Sequence, residues 1–430
     1  MIIFAEGGPR HIISRERLQE LLLLHIKSWQ GRCKKVLLVP PDMTRSNSRA
    51  GEITQFLYAS LKAGGSTVHV MPALGTHVPM NKHELVRMFG SELDRRDVLD
   101  HDWRNDITYL GSLPSSRIKE LSGGKLDYDI NIAVNRHLLE GQYDQIVSIG
   151  QIVPHEVIGM ANYTKNILIG VGGGDTIHKS HFLGAVHGME RIMGRIDSPV
   201  RTVIDEGFQK FLGHLPISFI LTVIGREQDD LVMRGIYGGN ERSCYVQAAK
   251  LSQQVNLTLL EEPIAKAVVY LDPEEFKTTW LGNKAIYRLR MAMADKGELV
   301  ILAPALHRFG EDMGIDQLIR KYGYRGTAHT LQAVRENEEL QKSLSAAAHL
   351  IHGTADGRFK ITYCPGEGVT RQEIESVGYA YESFDSAMTR YAHAALRDGW
   401  NTLSSGERVF YVSNPALGLW STKAGFEKNN

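Results

Sequence analysis

Residues 34–77 read KKVLLVPPDMTRSNSRAGEITQFLYASLKAGGSTVHVMPALGTH, and this stretch decides the predicted fold. The apolar run at 34–41 is rich in β-branched residues and stops at two prolines, which predicts a buried strand. The amphipathic run at 51–65 ends on two glycines and predicts a helix, and 66–75 predicts the next strand. Strand, helix and strand in this order are typical of a parallel sheet with crossover helices.

The same alternation continues along the chain. Helices are predicted at 81–90, where Asn81 and Glu84 form a capping-box pattern, and at 276–297, a long helix ending at Gly297. Further strands are predicted at 143–150, 217–225, 265–271, 298–307, 359–365 and 407–416, with a polar stretch at 226–243. We therefore predict the α/β class, with mostly parallel sheets and flanking helices. In such sheets ligands bind beyond the carboxyl ends of the strands.

The length of 430 residues favours two domains over one. We predict a catalytic and cofactor-binding domain at 1–258 and a second α/β domain at 259–404 that closes over the substrate. We expect the active site in the cleft between them, and we expect the tail at about 405–430 to return to the first domain.

The composition excludes several kinds of partner. Lys plus Arg and Asp plus Glu both number 49, so the formal net charge of 49 − 49 = 0 gives no field that attracts nucleic acid or anionic lipid. The three cysteines are isolated, which fits a reduced cytoplasmic setting, and no run approaches the roughly 20 apolar residues of a membrane span. A small-molecule partner is favoured.

Two predicted strands end on polar groups that suit substrate binding. Asp42, Thr44 and Arg45 follow the first strand, where a guanidinium can clamp a carboxylate or phosphate. The alternative is a helix-capping loop with Arg45 in a structural ion pair. His77 follows the next strand, and neighbouring parallel strands deliver their ends to one crevice. A hydrogen-bonded packing histidine is the alternative for His77.

The segment PHEVIGMANYTKNILIGVGGGDTIHKSH at 154–181 carries His155, Lys165, His178 and His181. Ten residues separate His155 from Lys165 and sixteen separate Lys165 from His181, so these side chains can meet only if the chain folds back through the glycines. An imidazole suits proton removal near neutral pH, and a desolvated lysine suits covalent attachment. A solvated surface charge is the alternative for Lys165. The glycine run lacks the Gly-Lys-Ser/Thr ending of a phosphate loop, so it predicts a bend.

Taken in order, Asp42-x-Thr44-Arg45, Gly75-Thr76-His77, Pro154-His155-Glu156, Lys165 and His181 resemble the nickel-dependent lactate racemase family. The resemblance covers most of the first predicted domain and extends to Lys284. It implies a nickel-pincer nucleotide, derived from nicotinate and joined to Lys165 through a thioamide, with His181 as the protein ligand to nickel. Asp42 and Thr44 would then bind this cofactor.

The resemblance further implies racemisation or epimerisation of a 2-hydroxy acid by hydride transfer. His77 and His155 would alternate as general base and acid on the hydroxyl proton, while Arg45 holds the carboxylate. Lys284 and Trp280, on the predicted long helix, would contact the substrate. A homo-oligomer is compatible with this family.

Two positions depart from the family pattern. Tyr163 is bulky where the family places small residues before its lysine, and Trp280-Leu281 replaces a Tyr-Gln pair. The second change favours a substrate larger than lactate, either aromatic or sugar-derived. Two other functions also fit these residues. One is a metal-dependent hydrolase or lyase using His155, His178 and His181 with Asp42 or Glu156, and the other is a non-catalytic protein that binds a carboxylate or a cofactor.

Overall fold

The computed structural model describes residues 1–29, 31, 33–228 and 230–428, and its contacts divide the chain into two compact units. The first unit comprises Met1–Leu183 and Ile192–Asn256, and the second comprises Gly184–Arg191 and Leu257–Asn430. The division at 256/257 lies two residues from the predicted boundary. The short segment 184–191 belongs to the second unit, although the chain on both sides of it belongs to the first.

The first unit contains the strands and helices that follow the pattern read from residues 34–77. Its strands are β1 (Ile2–Gly7), β2 (Lys35–Val39), β3 (Thr67–Val70), β4 (Ile107–Leu113), β5 (Ile130–Asn135), β6 (Gln145–Gln151), β7 (Pro154–His155), β8 (Gly159–Met160), β9 (Ile217–Glu227) and β10 (Asp230–Gly239). Its helices are α1 (Arg15–Lys27), α2 (Ala50–Ala63), α3 (Lys82–Phe89), α4 (Ser115–Leu121), α5 (His137–Glu140), α6 (Thr164–Leu168), α7 (Gly174–His187, of which residues to Leu183 belong here), α8 (Pro199–Leu212) and α9 (Arg242–Asn256). Short 3₁₀ helices lie at Met43–Ser48 and Arg95–Asp97.

The central sheet of this unit has six strands in the order β1-β10-β9-β6-β2-β3. β3, β2, β6 and β9 are parallel, whereas β10 runs antiparallel to both of its neighbours, β9 and β1. The carboxyl ends of the four parallel strands therefore share one edge, as the alternation predicts. The antiparallel β10 was missed, because its residues lie in the stretch at 226–243 that the sequence indicated to be polar and irregular.

Burial of both sheet faces explains the apolar runs. Every residue from Val36 to Val39 is fully buried, as expected for a strand covered by helices on both sides. Val36 and Leu38, which point to the same face of the sheet, pack in one cluster with the apolar faces of α1 and α2. The capping box of Asn81 and Glu84 is confirmed at the start of α3.

The second unit is a separate α/β body. Its strands are β11 (Leu257–Leu260), β12 (Ile264–Tyr270), β13 (Met293–Ala303), β14 (Lys360–Pro365), β15 (Ala380–Tyr381), β16 (Gly399–Thr402), β17 (Arg408–Val412) and β18 (Leu419–Thr422). Its helices are α10 (Thr279–Gly282), α11 (Lys284–Leu289), α12 (Met313–Tyr322), α13 (Thr327–Glu336), α14 (Glu338–Gln341), α15 (Leu344–His352), α16 (Arg371–Ser376), α17 (Phe384–Tyr391) and α18 (Lys423–Lys428), with 3₁₀ turns at Met189–Arg191, His393–Ala395 and Pro415–Leu417. The sheet order is β15-β14-β13-β12-β17-β16, parallel except for the pair β16 and β17.

Two predictions for this unit are wrong. The tail does not return to the first unit, because β17 pairs with β12 and β18 pairs with β11. The long helix predicted at 276–297 is two short helices, α10 and α11, followed by a strand that begins at Met293. Asn283 separates the two helices, and its side chain is fully buried and hydrogen-bonded. Across the described residues, we find no helix with the length and apolar character that crossing a membrane demands.

Candidate functional site

The loop after β2 is shaped by its two prolines and by Asp42. Pro41 forms an isolated bridge with Ala73, which follows β3, so the exits of the two strands are held side by side. Asp42 is the N-cap of the 3₁₀ helix Met43–Ser48, and its Oδ1 accepts from the Thr44 amide at 3.2 Å. The expected capping role of this aspartate is therefore present.

His77 contacts Asp42, as the positions of the two strand ends predict. Its Nδ1 lies 2.6 Å from Asp42 Oδ2. The Asp42 side chain is 7% exposed, whereas the His77 side chain is 52% exposed. Burial alone raises the pKa of Asp42, but the hydrogen bonds from His77 and Thr44 and the charge of Arg45 outweigh it and lower that pKa below its ordinary value.

Arg45 lies in the same 3₁₀ segment and is exposed. Its backbone departs from helical geometry, with φ −118° and ψ 29°, which places a kink at this residue. The kink leaves the Arg45 guanidinium, a planar five-donor group, at the carboxyl edge of the sheet.

His155 is the last residue of β7, which forms a short antiparallel hairpin with β8, and it is 8% exposed. Its Nδ1 accepts the Val157 amide hydrogen at 3.1 Å, and Glu156 Oε2 is 3.8 Å from the same nitrogen. Burial lowers the pKa of His155 well below its usual range, the Glu156 charge opposes this, and the charges of Lys165 and Arg45 reinforce it. His155 is therefore neutral near pH 7.

A strained turn precedes Lys165. Asn162 and Tyr163 both have positive φ, 60° and 59°, a region that costs a non-glycine residue free energy. The Tyr163 ring is buried, stacks on Tyr245 with a centroid distance of 5.2 Å and lies 4.4 Å from the Phe219 ring. From the sequence we expect the bulk of Tyr163 to lie close to a cofactor. The ring instead packs in the core of the first unit.

Arg201 of α8 holds this turn and was not singled out from the sequence. Its guanidinium has no exposed surface and donates to the carbonyl oxygens of Met160 and Asn162, at 2.6 and 3.3 Å. It also donates to Thr164 Oγ1 at 3.1 Å, and that hydroxyl donates to Asp205 at 2.5 Å. A buried cation thus supplies hydrogen bonds to two carbonyl groups of the segment that leads into Lys165.

Lys165 is the second residue of α6 and is partly buried. Burial lowers the pKa of its amine to about 8. The positive charges of Arg45 and Arg201 lower this pKa further, whereas the negative charges of Glu156 and Asp42 oppose the shift. The surface-lysine alternative does not apply. Asn166, the next residue, donates to the Val39 carbonyl oxygen at 2.9 Å and so ties α6 to the end of β2.

His181 lies on α7, where its Nδ1 is 2.6 Å from the Ile177 carbonyl oxygen. A carbonyl only accepts, so Nδ1 carries the hydrogen and Nε2 keeps its lone pair, the form in which histidine binds metals. Burial lowers the pKa of His181 to about 3, and the charge of Lys165 adds to this. The imidazole is neutral throughout the physiological range.

His178 is not grouped with His155 and His181 in a three-residue cluster among the described residues. Its ring packs edge-on against Trp103 at 5.4 Å. In the part of the chain that the structure describes, no three His, Cys, Asp or Glu side chains are grouped as a metal site. The ligand set of the alternative hydrolase or lyase is therefore not assembled by these residues.

The glycine run at 170–174, from which the sequence predicts a bend, is closely packed. A Cβ at Gly172 would overlap the Leu168 carbonyl oxygen, and one at Gly170 would lie 2.7 Å from the Ala73 Cβ. The Gly75 amide donates to the Gly170 carbonyl oxygen at 2.8 Å. These contacts bring the chain back from Lys165 to the start of α7 and fix the loop that carries His77.

Lys284 and Trp280, predicted to contact the substrate, belong to the second unit. Lys284 Nζ lies 3.4 Å from Glu275 Oε1 and 5.4 Å from the centre of the Phe276 ring. The Trp280 ring packs on buried His349 at 4.4 Å. These two residues therefore stay predictions as substrate contacts.

Comparisons with known proteins agree with the predicted fold class and with the family resemblance. The family model described as lactate racemase N-terminal domain matches residues 25–193. A crystal structure of a protein from Thermotoga maritima is similar, with a TM-score of 0.82 and 24% identity over 98% of this chain and 100% of that chain. The lactate racemase apoprotein from Thermoanaerobacterium thermosaccharolyticum is similar with a TM-score of 0.72 and 14% identity, over 96% of this chain and 94% of that chain. No curated protein sequence matches. At these identities the structural likeness establishes the α/β fold, and the predicted fold class is confirmed.

Proposed function

Since residues 25–193 are homologous to the N-terminal domain of lactate racemases, we propose that this chain is a racemase or epimerase of 2-hydroxy acids. It would invert the carbon that bears the hydroxyl group. The proposed partner is a small-molecule hydroxy acid, not nucleic acid or membrane. We expect a cytoplasmic enzyme, and a homo-oligomer is compatible with this function.

The observation that supports the proposal most is the electrostatic coupling of the predicted site residues. The charges of Arg45 and Glu156 act on both Lys165 and His155, and the charge of Lys165 acts on both His155 and His181. Side chains drawn from three separate sequence motifs thus share one partly desolvated region of the first unit. Such grouping of perturbed titratable groups is typical of active sites.

Two of these residues fit the nickel-pincer nucleotide that the family resemblance implies. An amine with a pKa of about 8 is partly neutral near pH 7.5 and can be acylated, which suits Lys165 as the covalent anchor. His181, with its Nε2 lone pair available, suits the role of nickel ligand. When bound, this group supplies the acceptor for the hydride that leaves the substrate carbon.

The remaining roles fall to side chains at the carboxyl edge of the sheet. His77 and His155 handle the hydroxyl proton, one as base and the other as acid, and exchange roles for the opposite enantiomer. The exposed guanidinium of Arg45 holds the substrate carboxylate through paired hydrogen bonds. Lys284 and Trp280 are proposed as further substrate contacts.

We propose a substrate larger than lactate, with an aromatic or sugar-derived side chain. The support is the indole of Trp280 followed by Leu281, which offers an apolar wall with no amide group. The position of the indole is fixed by His349, on which it packs. The ring nitrogens of His349 are hydrogen-bonded to the hydroxyls of Tyr287 and Tyr324, at 2.8 and 2.9 Å.

Chiral chromatography of a panel of 2-hydroxy acids tests this function on protein loaded with nickel and the pincer nucleotide. We expect interconversion of the enantiomers of at least one acid, and loss of that activity in His77→Asn and in His155→Asn with substrate binding retained. Exposed His83 supplies the control, because His83→Asn should leave turnover unchanged. Full activity in both site variants would remove the acid and base assignment. Loaded protein that inverts no acid of the panel would remove the proposed function.

A further inference from the structure

Three hydrogen bonds from two residues hold the carboxylate of Asp42 in place. Oδ1 accepts from the Thr44 amide at 3.2 Å and from the Thr44 hydroxyl at 2.5 Å, and Oδ2 lies 2.6 Å from His77 Nδ1. The residue is 5% exposed. Because an ionised carboxylate only accepts, the hydrogen between Asp42 and His77 belongs to His77 Nδ1.

This hydrogen decides which nitrogen of His77 can act as a base. In a neutral imidazole one nitrogen donates and the other accepts, so a hydrogen on Nδ1 leaves the lone pair on Nε2. The His77 side chain is half exposed, so it presents Nε2 outward from its bond to Asp42.

His155 has the opposite arrangement. Its Nδ1 accepts the Val157 amide hydrogen at 3.1 Å, so the ring hydrogen of the neutral form is on Nε2. The two histidines therefore differ in tautomer before substrate binds. Nε2 of His77 has a free lone pair, whereas Nε2 of His155 carries a hydrogen.

We propose that Asp42, locked by Thr44, is a positioning residue that makes His77 the base of the resting enzyme, with His155 as the hydrogen-bond donor. This inference rests on the proposed function for its catalytic meaning. It reassigns Asp42 and Thr44, which the family resemblance placed among the cofactor-binding residues. Three of the roughly four acceptor positions of the Asp42 carboxylate are already used by Thr44 and His77, which favours a positioning role over a cofactor contact.

The Thr44 lock makes a strong prediction for Asp42→Asn. Two donors from Thr44 converge on one oxygen, so the introduced side-chain amide turns its own oxygen toward Thr44 and its NH₂ toward His77. An NH₂ group donates, so His77 Nδ1 must accept and its hydrogen moves to Nε2. In Asp42→Asn, Nε2 of His77 therefore has no lone pair and cannot act as a base. In Asp42→Ala, His77 can carry its hydrogen on either ring nitrogen.

The test compares turnover of the loaded enzyme in three variants of matched fold, checked by thermal unfolding. We expect Asp42→Asn to lower kcat by about 10³- to 10⁴-fold, the size seen when an aspartate-to-asparagine change forces the wrong histidine tautomer. Asp42→Ala should lose less, about 10²-fold. Adding Thr44→Val to Asp42→Asn removes one of the two locking donors and should recover part of the loss. A merely structural role, or a cofactor contact, predicts the reverse order, with the isosteric asparagine milder than alanine, and that order would overturn the proposal.

A second readout needs neither cofactor nor substrate. Nitrogen-15 NMR of the histidine rings distinguishes an N–H from a bare ring nitrogen, with His77→Asn and His155→Asn used to assign the signals. We expect hydrogen on Nδ1 of His77 and on Nε2 of His155 in the cofactor-free protein, and hydrogen on Nε2 of His77 in Asp42→Asn. Hydrogen on Nε2 of His77 in the unmodified sequence would overturn the inference. Because this spectrum does not depend on turnover, it separates failure of the inference from failure of the proposed function.

Discussion

The Arg201 guanidinium donates to the Met160 carbonyl oxygen over 2.6 Å from a position with no exposed surface. The same group bonds Asn162 and Thr164 and lies 3.5 Å from Asp205. It therefore holds the positive-φ turn that leads directly into Lys165. Lys165 is therefore presented by a buried charge network and not by a regular element alone.

Removing this cation should destabilise the first unit. Arg201→Met removes the donor to the Met160 and Asn162 carbonyl oxygens and to the Thr164 hydroxyl, while Asp205 keeps Thr164 and Arg242. We expect a loss of about 3–5 kcal/mol in the free energy of unfolding, mainly from the buried carbonyl groups left without a donor. Urea unfolding measures it. The matched control is Arg96→Met, whose arginine is 88% exposed beside Asp94 and whose removal should leave the free energy of unfolding nearly unchanged. Equal losses in the two variants would contradict the role of Arg201.

The amine of Lys165 should react selectively near pH 8. Its pKa of about 8 means that the neutral, reactive form falls about tenfold for each pH unit below that value. We expect acetic anhydride to label Lys165 of the cofactor-free protein with a half-maximal rate near pH 8, measured by peptide mass spectrometry. Free N-acetyl-lysine amide is the reference, with a half-point near about 10.4. A half-point for Lys165 at the reference value would show that the site does not desolvate the amine.

The same shift predicts that Lys165 costs stability. The folded pKa lies below the unfolded value of 10.5, so below pH 8 the fold buries a charge that the unfolded chain solvates. This cost is lost as pH rises from 8 toward 10.5. We expect Lys165→Met to stabilise the protein by about 2 kcal/mol at pH 7 and to make little difference at pH 10.5, by urea unfolding. A destabilised variant at pH 7 would contradict the desolvation argument.

His25 should make the fold sensitive to acid. It is fully buried, bonds Ser218 Oγ at 2.9 Å, and burial lowers its pKa to about 3. Below about pH 6.5 the unfolded chain takes up a proton at this residue and the folded chain does not. The contribution of His25 to the free energy of unfolding is therefore fully present above that pH and falls as the pH drops toward 3. In His25→Phe the loss of unfolding free energy between pH 7 and pH 5 should be smaller by about 2 kcal/mol. An unchanged pH dependence would show that His25 is protonated in the fold.

The break between α10 and α11 can be tested by a double-mutant cycle. Asn283 Oδ1 accepts from the hydroxyls of Tyr363 at 2.7 Å and Tyr379 at 3.2 Å, all three being buried. Tyr363→Phe should cost about 1–2 kcal/mol alone and close to nothing in an Asn283→Ala background. Additive losses would mean that the two residues do not share a hydrogen bond.

The sequence predicts well where local pattern and topology agree. The buried run at 36–39, the capping box of Asn81 and the polar residues after β2 and β3 required only periodicity and the rule that parallel strands end at one edge. The contact between Asp42 and His77 follows from that rule. Its consequence for the His77 tautomer does not, because that depends on which ring nitrogen of His77 faces the carboxylate.

The features that the sequence did not reveal depend on distant partners. Arg201 lies 36 positions after Lys165, and its sequence context is that of an ordinary helical arginine. Only the burial of its guanidinium in the structure distinguishes it from a surface arginine. The stretch around Asn283 has helical periodicity, but the helix is interrupted at this residue. Buried tyrosines from β14 and from the segment before β15 donate hydrogen bonds to the Asn283 side chain there. The antiparallel strand β10 carries charges at its start that mask its pattern. Tertiary contacts outweigh local preference at each of these places.

The covalent state of Lys165 tests the central claim most directly. Intact-protein and peptide mass spectrometry, with nickel content, should be measured on protein produced together with the enzymes that build the pincer nucleotide. We expect an added mass on the Lys165 peptide, nickel in proportion to it, and the loss of both in Lys165→Ala. A preparation that interconverts 2-hydroxy acid enantiomers while its Lys165 is unmodified would contradict it.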